Sequence, residues 1–404
     1  MDESTVKKYY QEYVIGCYSK EDYVFVRGKG PWLWDINGNK YLDFFPGWAV
    51  SGLGHCPPIV VKVLSQQLKK LMHVANNYYI DVQALCAKKL IEISFDGKVF
   101  FCNSGAEANE AAIKLSRLYG ARTGRYKIVS MKNSFHGRTL ATVTMTGQEK
   151  YSAPFKPLPD GFVYAEFNNF ESLKDCVDEK TVAVIIEPIQ GEGGINVASR
   201  EYLQRVREFC SSKDILLIFD EVQTGMGRTG SYFAFQHFGV QPDIMTLAKT
   251  LGGGFPIGAM IARKPLCDLL VPGTHASTFG GNPLACSAAI GVIETIEKQN
   301  LLENVKKLSG WFFEELKKLQ NEFSVIKEVR GVGFMIGMEL AVKGSGFVNR
   351  CRKNGLLLNC THDTVIRIMP PLGISRTLLK KGLKIIRKSL VEEFFSNERK
   401  KGSS

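Results

Sequence analysis

The run Ile215-Leu216-Leu217-Ile218-Phe219 leads straight into two adjacent acids, Asp220 and Glu221, and Gly225-Met226-Gly227-Arg228-Thr229-Gly230 follows a few residues later. Three chemistries want such a pattern. An acid after a buried strand holds magnesium in a nucleotide hydrolase, but that use needs a GxxxxGK[ST] loop to cradle the phosphates. Both Gly28-Lys29 and Gly97-Lys98 lack the Ser or Thr that would follow, so this chemistry is excluded. The glycines match the GxGxxG spacing of a dinucleotide loop. There, however, the first glycine turns directly after the strand so that pyrophosphate meets a helix N-terminus. Here Asp220-Glu221-Val222-Gln223-Thr224 intervenes, and two carboxylates would face a dianion. The third chemistry sets an acid beside a protonated ring nitrogen.

A pyridoxal phosphate site uses an acid in that way. It also demands a phosphate cradle, a surface for the ring, and a lysine to carry the aldehyde as a Schiff base. Ser104-Gly105-Ala106-Glu107 passes from a strand into a helical pattern with a capping-box spacing, and its small residues leave first-turn N–H groups open to a phosphate. Ser134-Phe135-His136-Gly137-Arg138-Thr139 offers an aromatic, a glycine and a cation in a loop after another strand. Lys249 ends the short run from Ile244, ahead of Gly252-Gly253-Gly254, where glycines let backbone and a bulky ring approach closely. Each part alone has a plainer reading: a helix cap, a core aromatic beside a surface arginine, a chain emerging into water.

Positioning these residues requires an ordered scaffold. Between about residues 95 and 265, β-branched runs at Lys98–Cys102, Lys127–Met131, Thr181–Glu187, Ile215–Asp220, Ile244–Leu247 and Ile257–Ala262 alternate with helical patterns. Strands this apolar are buried on both faces, which predicts a mostly parallel sheet flanked by helices. After a helical stretch from Pro283 to Gln299 the pattern changes. Leu301–Phe323 and Leu378–Phe395 have a helical rhythm, and Val332–Leu340, Gly355–Asn359 and Val365–Met369 look like strands. The expected organisation is a large α/β domain over 55–300, a smaller α+β domain over 301–404, and an N-terminal segment, 1–54, packing with the small one.

Composition sets the frame. The chain has 404 residues, 45% hydrophobic and 23% charged, enough for two packed cores. No apolar run has the length to span a bilayer, and the ten cysteines lack the close pairs of a disulfide scaffold, so a reduced, cytoplasmic protein is expected. The six histidines show no zinc-ligand spacing, and no metal is expected. Despite a net charge of +12, Lys and Arg are dispersed apart from the terminal Glu398-Arg399-Lys400-Lys401, and nucleic acid is not an expected partner.

Taken together and in order, these motifs closely resemble the class III aminotransferases, a pyridoxal-phosphate family with the aspartate-aminotransferase-like fold. The resemblance runs through FCNSGAEANEAAIK, SFHGRT, IIEPIQGEGG, LLIFDEVQTGMGRTG, AKTLGGGFPIGAM, HASTFGGNPLAC and VIRIMPPL. It implies that Lys249 is the Schiff-base lysine, that Asp220 partners the pyridine nitrogen, and that Ser104, Gly105 and Ala106 hold phosphate. It further implies Phe135 against the ring and Gln223 at the ring hydroxyl. Ser277 and Thr278 would reach the phosphate and substrate of a neighbouring subunit, hence a homodimer. Arg138 and Arg367 fall where the family places two carboxylate-binding guanidiniums, and Glu192 where an acid pairs with the second. The nearest branch acts on N2-acetylornithine and 2-oxoglutarate in arginine synthesis, a ping-pong amino transfer. Ornithine, 4-aminobutyrate and succinyldiaminopimelate aminotransferases, and more distantly racemases and mutases, share the same chemical residues. Trp48 departs from the smaller aliphatic residue more usual in that branch, in a segment that shapes the substrate pocket, and leaves the preferred amine open.

Overall fold

The structure, a computed structural model, describes residues 1–395. Its centre is a seven-stranded sheet of Gly97–Cys102, Lys127–Met131, Phe162–Ala165, Thr181–Ile186, Leu216–Asp220, Ile244–Leu247 and Gly258–Arg263. In space the strands follow one another in the order 97, 258, 244, 216, 181, 127, 162 by first residue. Gly258–Arg263 runs antiparallel to both neighbours, and the other ladders are parallel. Every residue of Thr181–Ile186 and Leu216–Asp220 is buried. Alternation explains how: Leu216 and Ile218 pack with Ala111, Ala112 and Leu115 of the helix Gly105–Gly120, whereas Leu217 and Phe219 pack with Leu203 and Val206 of Arg200–Ser212 on the opposite face. Burying each such side chain contributes about 1.5–3 kcal/mol, so two-sided coverage fixes register as well as stability.

A second sheet of Phe25–Lys29, Trp32–Asp35 and Lys40–Asp43 takes in the late strand Leu356–Leu357, which pairs parallel to Lys40–Asp43. A third, antiparallel sheet has the order Ile326–Val332, Met335–Leu340, Val365–Ile368, Asn359–Thr361. Three expectations change here. Val332–Leu340 spans the end of one hairpin strand, its turn at Gly333, where φ is +59°, and the second strand, Met335–Leu340. Gly355–Asn359 divides, one piece joining the N-terminal sheet and Asn359 opening a strand of the other. The edge strand Phe162–Ala165 was unread, because its burial is mixed and Tyr164 is exposed. No described helix is long and apolar enough to cross a membrane. The basic cluster at 398–401 lies outside the described residues.

Arg228, from the glycine motif, ties the central sheet to the third one. Fully buried, it donates from Nη1 to the carbonyls of Phe334 at 3.3 Å and Pro370 at 2.6 Å, and burial pushes its guanidinium down to about 9.

Candidate active site

Parallel strands present their carboxyl ends along one edge, so the loops that follow them converge there. At that edge a cavity of about 410 Å³ is lined by Ser104, Gly105, Ala106, Phe135, Arg138, Glu192, Asp220, Gln223 and Lys249.

Asp220 ends its strand 4% exposed. Its Oδ2 accepts from Asn109 Nδ2 at 2.8 Å and from His136 Nδ1 at 2.7 Å, and its Oδ1 accepts from the Val222 N–H at 3.0 Å. A carboxylate neighbour places the imidazole proton on Nδ1; Nε2 is buried without a partner among the described residues. Asn109 is held in turn by Thr246, whose Oγ1 donates to it at 2.8 Å. The adjacent Glu221 points elsewhere: it accepts from the N–H groups of Ala234 and Phe235 at 2.6 and 2.7 Å and from Thr224 Oγ1 at 2.9 Å. Burial, opposed by those bonds, pushes its carboxyl up to about 7. Two neighbouring acids of the sequence thus have separate duties, one facing the cavity and one capping the helix Ala234–Phe238.

Ser104 caps the helix Gly105–Gly120, its Oγ accepting from the Glu107 N–H at 3.2 Å. The Glu107 carboxylate returns to the N–H of Asn103 at 2.6 Å, one residue before the cap, so the box closes early. Gly105 and Ala106 occupy the first turn, where N–H groups have no acceptor inside the helix. Any Cβ at Gly105 would sit 2.8 Å from a Val222 methyl, which is why the smallest residue is required. Lys249 opens a short 3₁₀ turn with φ at +47°, an arrangement costing about 1–3 kcal/mol for a residue with a side chain. Burial pulls its amine below the usual lysine range, opposed by the charges of Glu192 and Asp220.

The walls are polar on one side. Glu187, buried, accepts from the N–H groups of Phe135 at 2.9 Å and Gly191 at 3.3 Å. Burial, with Asp220's charge added and His136 opposing, pushes its carboxyl up to about 7. Gln223 donates to the Trp48 carbonyl at 3.4 Å, and its Oε1 is buried with no partner among the described residues. Arg367, with a side chain 2% exposed, donates to Glu192 Oε1 at 2.5 Å. Burial would raise Glu192, but Arg367's charge and hydrogen bond, with Lys249 and Arg138 farther off, hold it below the usual carboxylate range. Arg138 is exposed, stacked over the rings of Tyr151 at 4.2 Å and Phe135 at 5.4 Å, and no described carboxylate pairs with it.

Not every expected residue meets in this cavity. Trp48, half exposed with φ at +55°, and Arg367 line an adjoining cavity of about 340 Å³ that shares Glu192 with the first. Ser277 and Thr278 line a third, of about 380 Å³, connected to the first only through Asn103. Conversely, Asn109, His136, Glu187 and Val222 line the first cavity, and Asn359 the adjoining one, with no motif of the sequence assigning them a role. Glu187 carried the same signal as Asp220, an acid ending a buried strand. Asn109 is the polar interruption of an apolar helix face, at the turn that faces the sheet edge.

Comparison with known proteins follows the same lines. Residues 17–390 match the family Aminotransferase class-III. The acetylornithine aminotransferase of Methanocaldococcus jannaschii is 50% identical over 91% of this chain and 93% of its own length, and that of Aquifex aeolicus is 45% identical over 94% and 100%. Among solved structures, ornithine aminotransferase from Toxoplasma gondii, whose active site holds PLP at partial occupancy, superposes with a TM-score of 0.94 at 34% identity, covering 99% of this chain and 96% of its own. Acetylornithine aminotransferase from Elizabethkingia anophelis superposes at 0.87 with 31% identity over 97% and 100%.

Proposed function

This chain belongs to the class-III aminotransferases, and we propose that it transfers the δ-amino group of N2-acetylornithine to 2-oxoglutarate, with pyridoxal 5′-phosphate as cofactor, as a homodimer in the cytoplasm. The cavity suits that cofactor. A buried Gln223 Oε1 unpartnered among the described residues, a remaining lone pair on Asp220, open N–H groups on Gly105 and Ala106, and a buried lysine amine held below the usual lysine range are complementary to its hydroxyl edge, ring nitrogen, phosphate and aldehyde. When bound, the cofactor supplies a protonated ring into which electrons on a substrate carbon delocalise. Asp220, anchored by three donors, keeps a negative charge at that ring nitrogen. Ser104, Gly105 and Ala106 hold phosphate at a helix N-terminus, and Thr278 of a second copy would add to it. Phe135 would lie against one ring face and Gln223 would meet the hydroxyl edge. Lys249, whose amine burial pulls below the usual lysine range, would be the group that takes up and gives back the substrate's proton at Nζ.

The observation that carries the substrate reading is the unequal state of two guanidiniums. Arg138 is open, ready for the α-carboxylate of the donor, and Arg367 is masked by Glu192, so the donor's reacting carbon, which bears the δ-amine and no carboxylate, meets no bare guanidinium. When a dicarboxylate acceptor arrives, Glu192 yields the guanidinium to its second carboxylate. The high identity to acetylornithine aminotransferases supports the same choice. The test compares kcat/KM for N2-acetylornithine, ornithine and 4-aminobutyrate, each paired with 2-oxoglutarate. N2-Acetylornithine is expected to exceed the others by about tenfold or more, the scale on which a pocket discriminates by added group. A higher value for either unacylated amine would overturn the assignment.

A further inference from the structure

Arg367 has five N–H donors, and the structure distributes them unevenly. Its end, Nη1, faces Glu192 Oε1 at 2.5 Å and the Gly191 carbonyl at 3.3 Å. Its side edge is taken by one atom: Asn359 Oδ1 accepts from Nε at 2.8 Å and from Nη2 at 2.6 Å. Phe45 lies 4.6 Å from the guanidinium, measured to the ring centroid. Asn359 is the cross-strand partner of Arg367, opposite it in the ladder of Asn359–Thr361 with Val365–Ile368. Two residues on, Thr361 Oγ1 donates to the backbone carbonyl of Glu192 at 2.8 Å. One short strand therefore grips both members of the ion pair, Arg367 by its side edge and Glu192 by its main chain, and leaves the carboxylate of Glu192 without restraint from that strand.

We propose that Asn359 is the positioning and specificity-determining residue of this pair: a neutral acceptor that fixes the Arg367 plane without cancelling its charge, so that the guanidinium's end can exchange Glu192 for a substrate carboxylate. The proposal rests on the reading of Arg367 as the dicarboxylate site. Neutrality is the essential feature. A carboxylate at 359 would form a two-pronged ion pair along the same edge, satisfy the charge permanently, and leave little attraction for an incoming anion. An apolar residue would strand two buried N–H groups and let the guanidinium turn fully onto Glu192. With an amide the plane is held and the charge is kept. The acceptor carboxylate then displaces Glu192 with no repositioning of the arginine.

Glutarate, a five-carbon dicarboxylate that has no amino or keto group to react, isolates this binding step. Its dissociation constant, measured by calorimetry on the cofactor-loaded enzyme, is compared for the native chain, Asn359→Asp, Asn359→Ser and Arg367→Gln, beside KM for both substrates. Asn359→Asp is expected to weaken glutarate and raise KM for 2-oxoglutarate by about 10- to 100-fold, as removal of a buried charge partner does. KM for the ω-amine donor is expected to stay within about threefold, since that substrate makes no ion pair with Arg367. Asn359→Ser, a neutral acceptor, is expected to bind glutarate far closer to the native chain than Asn359→Asp does. Unchanged glutarate affinity in Asn359→Asp, or equal losses in the Asp and Ser variants, overturns the proposal. Arg367→Gln separates the two ideas: if it too binds glutarate normally, the dicarboxylate reading of Arg367 falls, and if it alone loses glutarate, only the role of Asn359 falls. Should Asn359→Asp fail to fold, Asn359→Leu replaces it, with weakened glutarate expected and native affinity overturning the proposal.

Discussion

Asp220 offers roughly four lone pairs, and three protein donors engage them, which leaves about one for a ligand in the cavity. That arithmetic makes its replacement by Asn informative. The amide NH2 would face both Asn109 Nδ2 and His136 Nδ1 if it took the place of Oδ2, or the Val222 N–H if it took that of Oδ1, donor against donor either way, and would carry no charge. Asp220→Asn is expected to lower kcat by about 10²–10³-fold, the usual effect of losing one preorganised electrostatic contact, with the overall fold retained. Steady-state rates and circular dichroism check it; a loss under tenfold would remove Asp220 from the centre of the site. Asp220, ending a buried strand, and Lys249, two residues past another, stand out in the sequence through the company of the other motifs in order, since each alone has a plainer reading. The residues that hold them do not. Asn109, His136 and Asn359 act through contacts between positions far apart in the chain, and no local pattern encodes those distances.

The strands were readable for a related reason. Thr181–Ile186 and Leu216–Asp220 are covered on both faces, so their apolar runs are unbroken, whereas Phe162–Ala165 at the sheet edge carries a mixed pattern that resembles a loop. The Leu356–Thr361 segment was harder still, since it changes sheets at Leu358 and periodicity cannot register a change of partner. The paired acids Asp220 and Glu221 show the same limit: alike in sequence, they diverge because the helix Ala234–Phe238 places its first N–H groups over one of them. Glu221 has a folded value of about 7 against 4.5 ordinarily, so between those values the folded chain holds a proton that the unfolded chain has released. Its contribution is therefore greatest below the unfolded value and is lost as pH rises through the folded one. Unfolding free energy of the cofactor-free protein is expected to fall between about pH 5 and pH 8 by roughly 2–3 kcal/mol more in the native chain than in Glu221→Gln. Chemical denaturation at the two pH values checks the difference, and equal slopes would mean that Glu221 is ionised throughout.

Ser277 and Thr278 sit apart from Lys249 in a single chain, and their surroundings indicate what is missing. Asn76 donates to the carbonyls of Ser277 and Gly280, Gln83 to that of Gly281, and His73 packs on Phe279, so residues 73–83 and 277–281 form one surface. Tyr78, Tyr79 and Phe279 are exposed there, apolar side chains that the homodimer proposed above would cover. A two-fold dimer through this face would carry Thr278 to the neighbour's phosphate cradle, as proposed above, because an isologous contact places each residue reciprocally. Mixing two inactive variants tests that geometry directly. Lys249→Ala removes the lysine, and Thr278→Glu sets a negative charge against the phosphate; each alone is expected to be inactive. If the two residues belong to one site but to different chains, a mixed dimer holds one fully intact site, and random reassociation restores about a quarter of native activity. If they act from the same chain, every site in every dimer lacks one or the other and nothing is restored. Activity after co-refolding equal amounts of the two, with the dimer confirmed by light scattering, distinguishes these outcomes, and an inactive mixture of intact dimers would confine Thr278 to its own subunit.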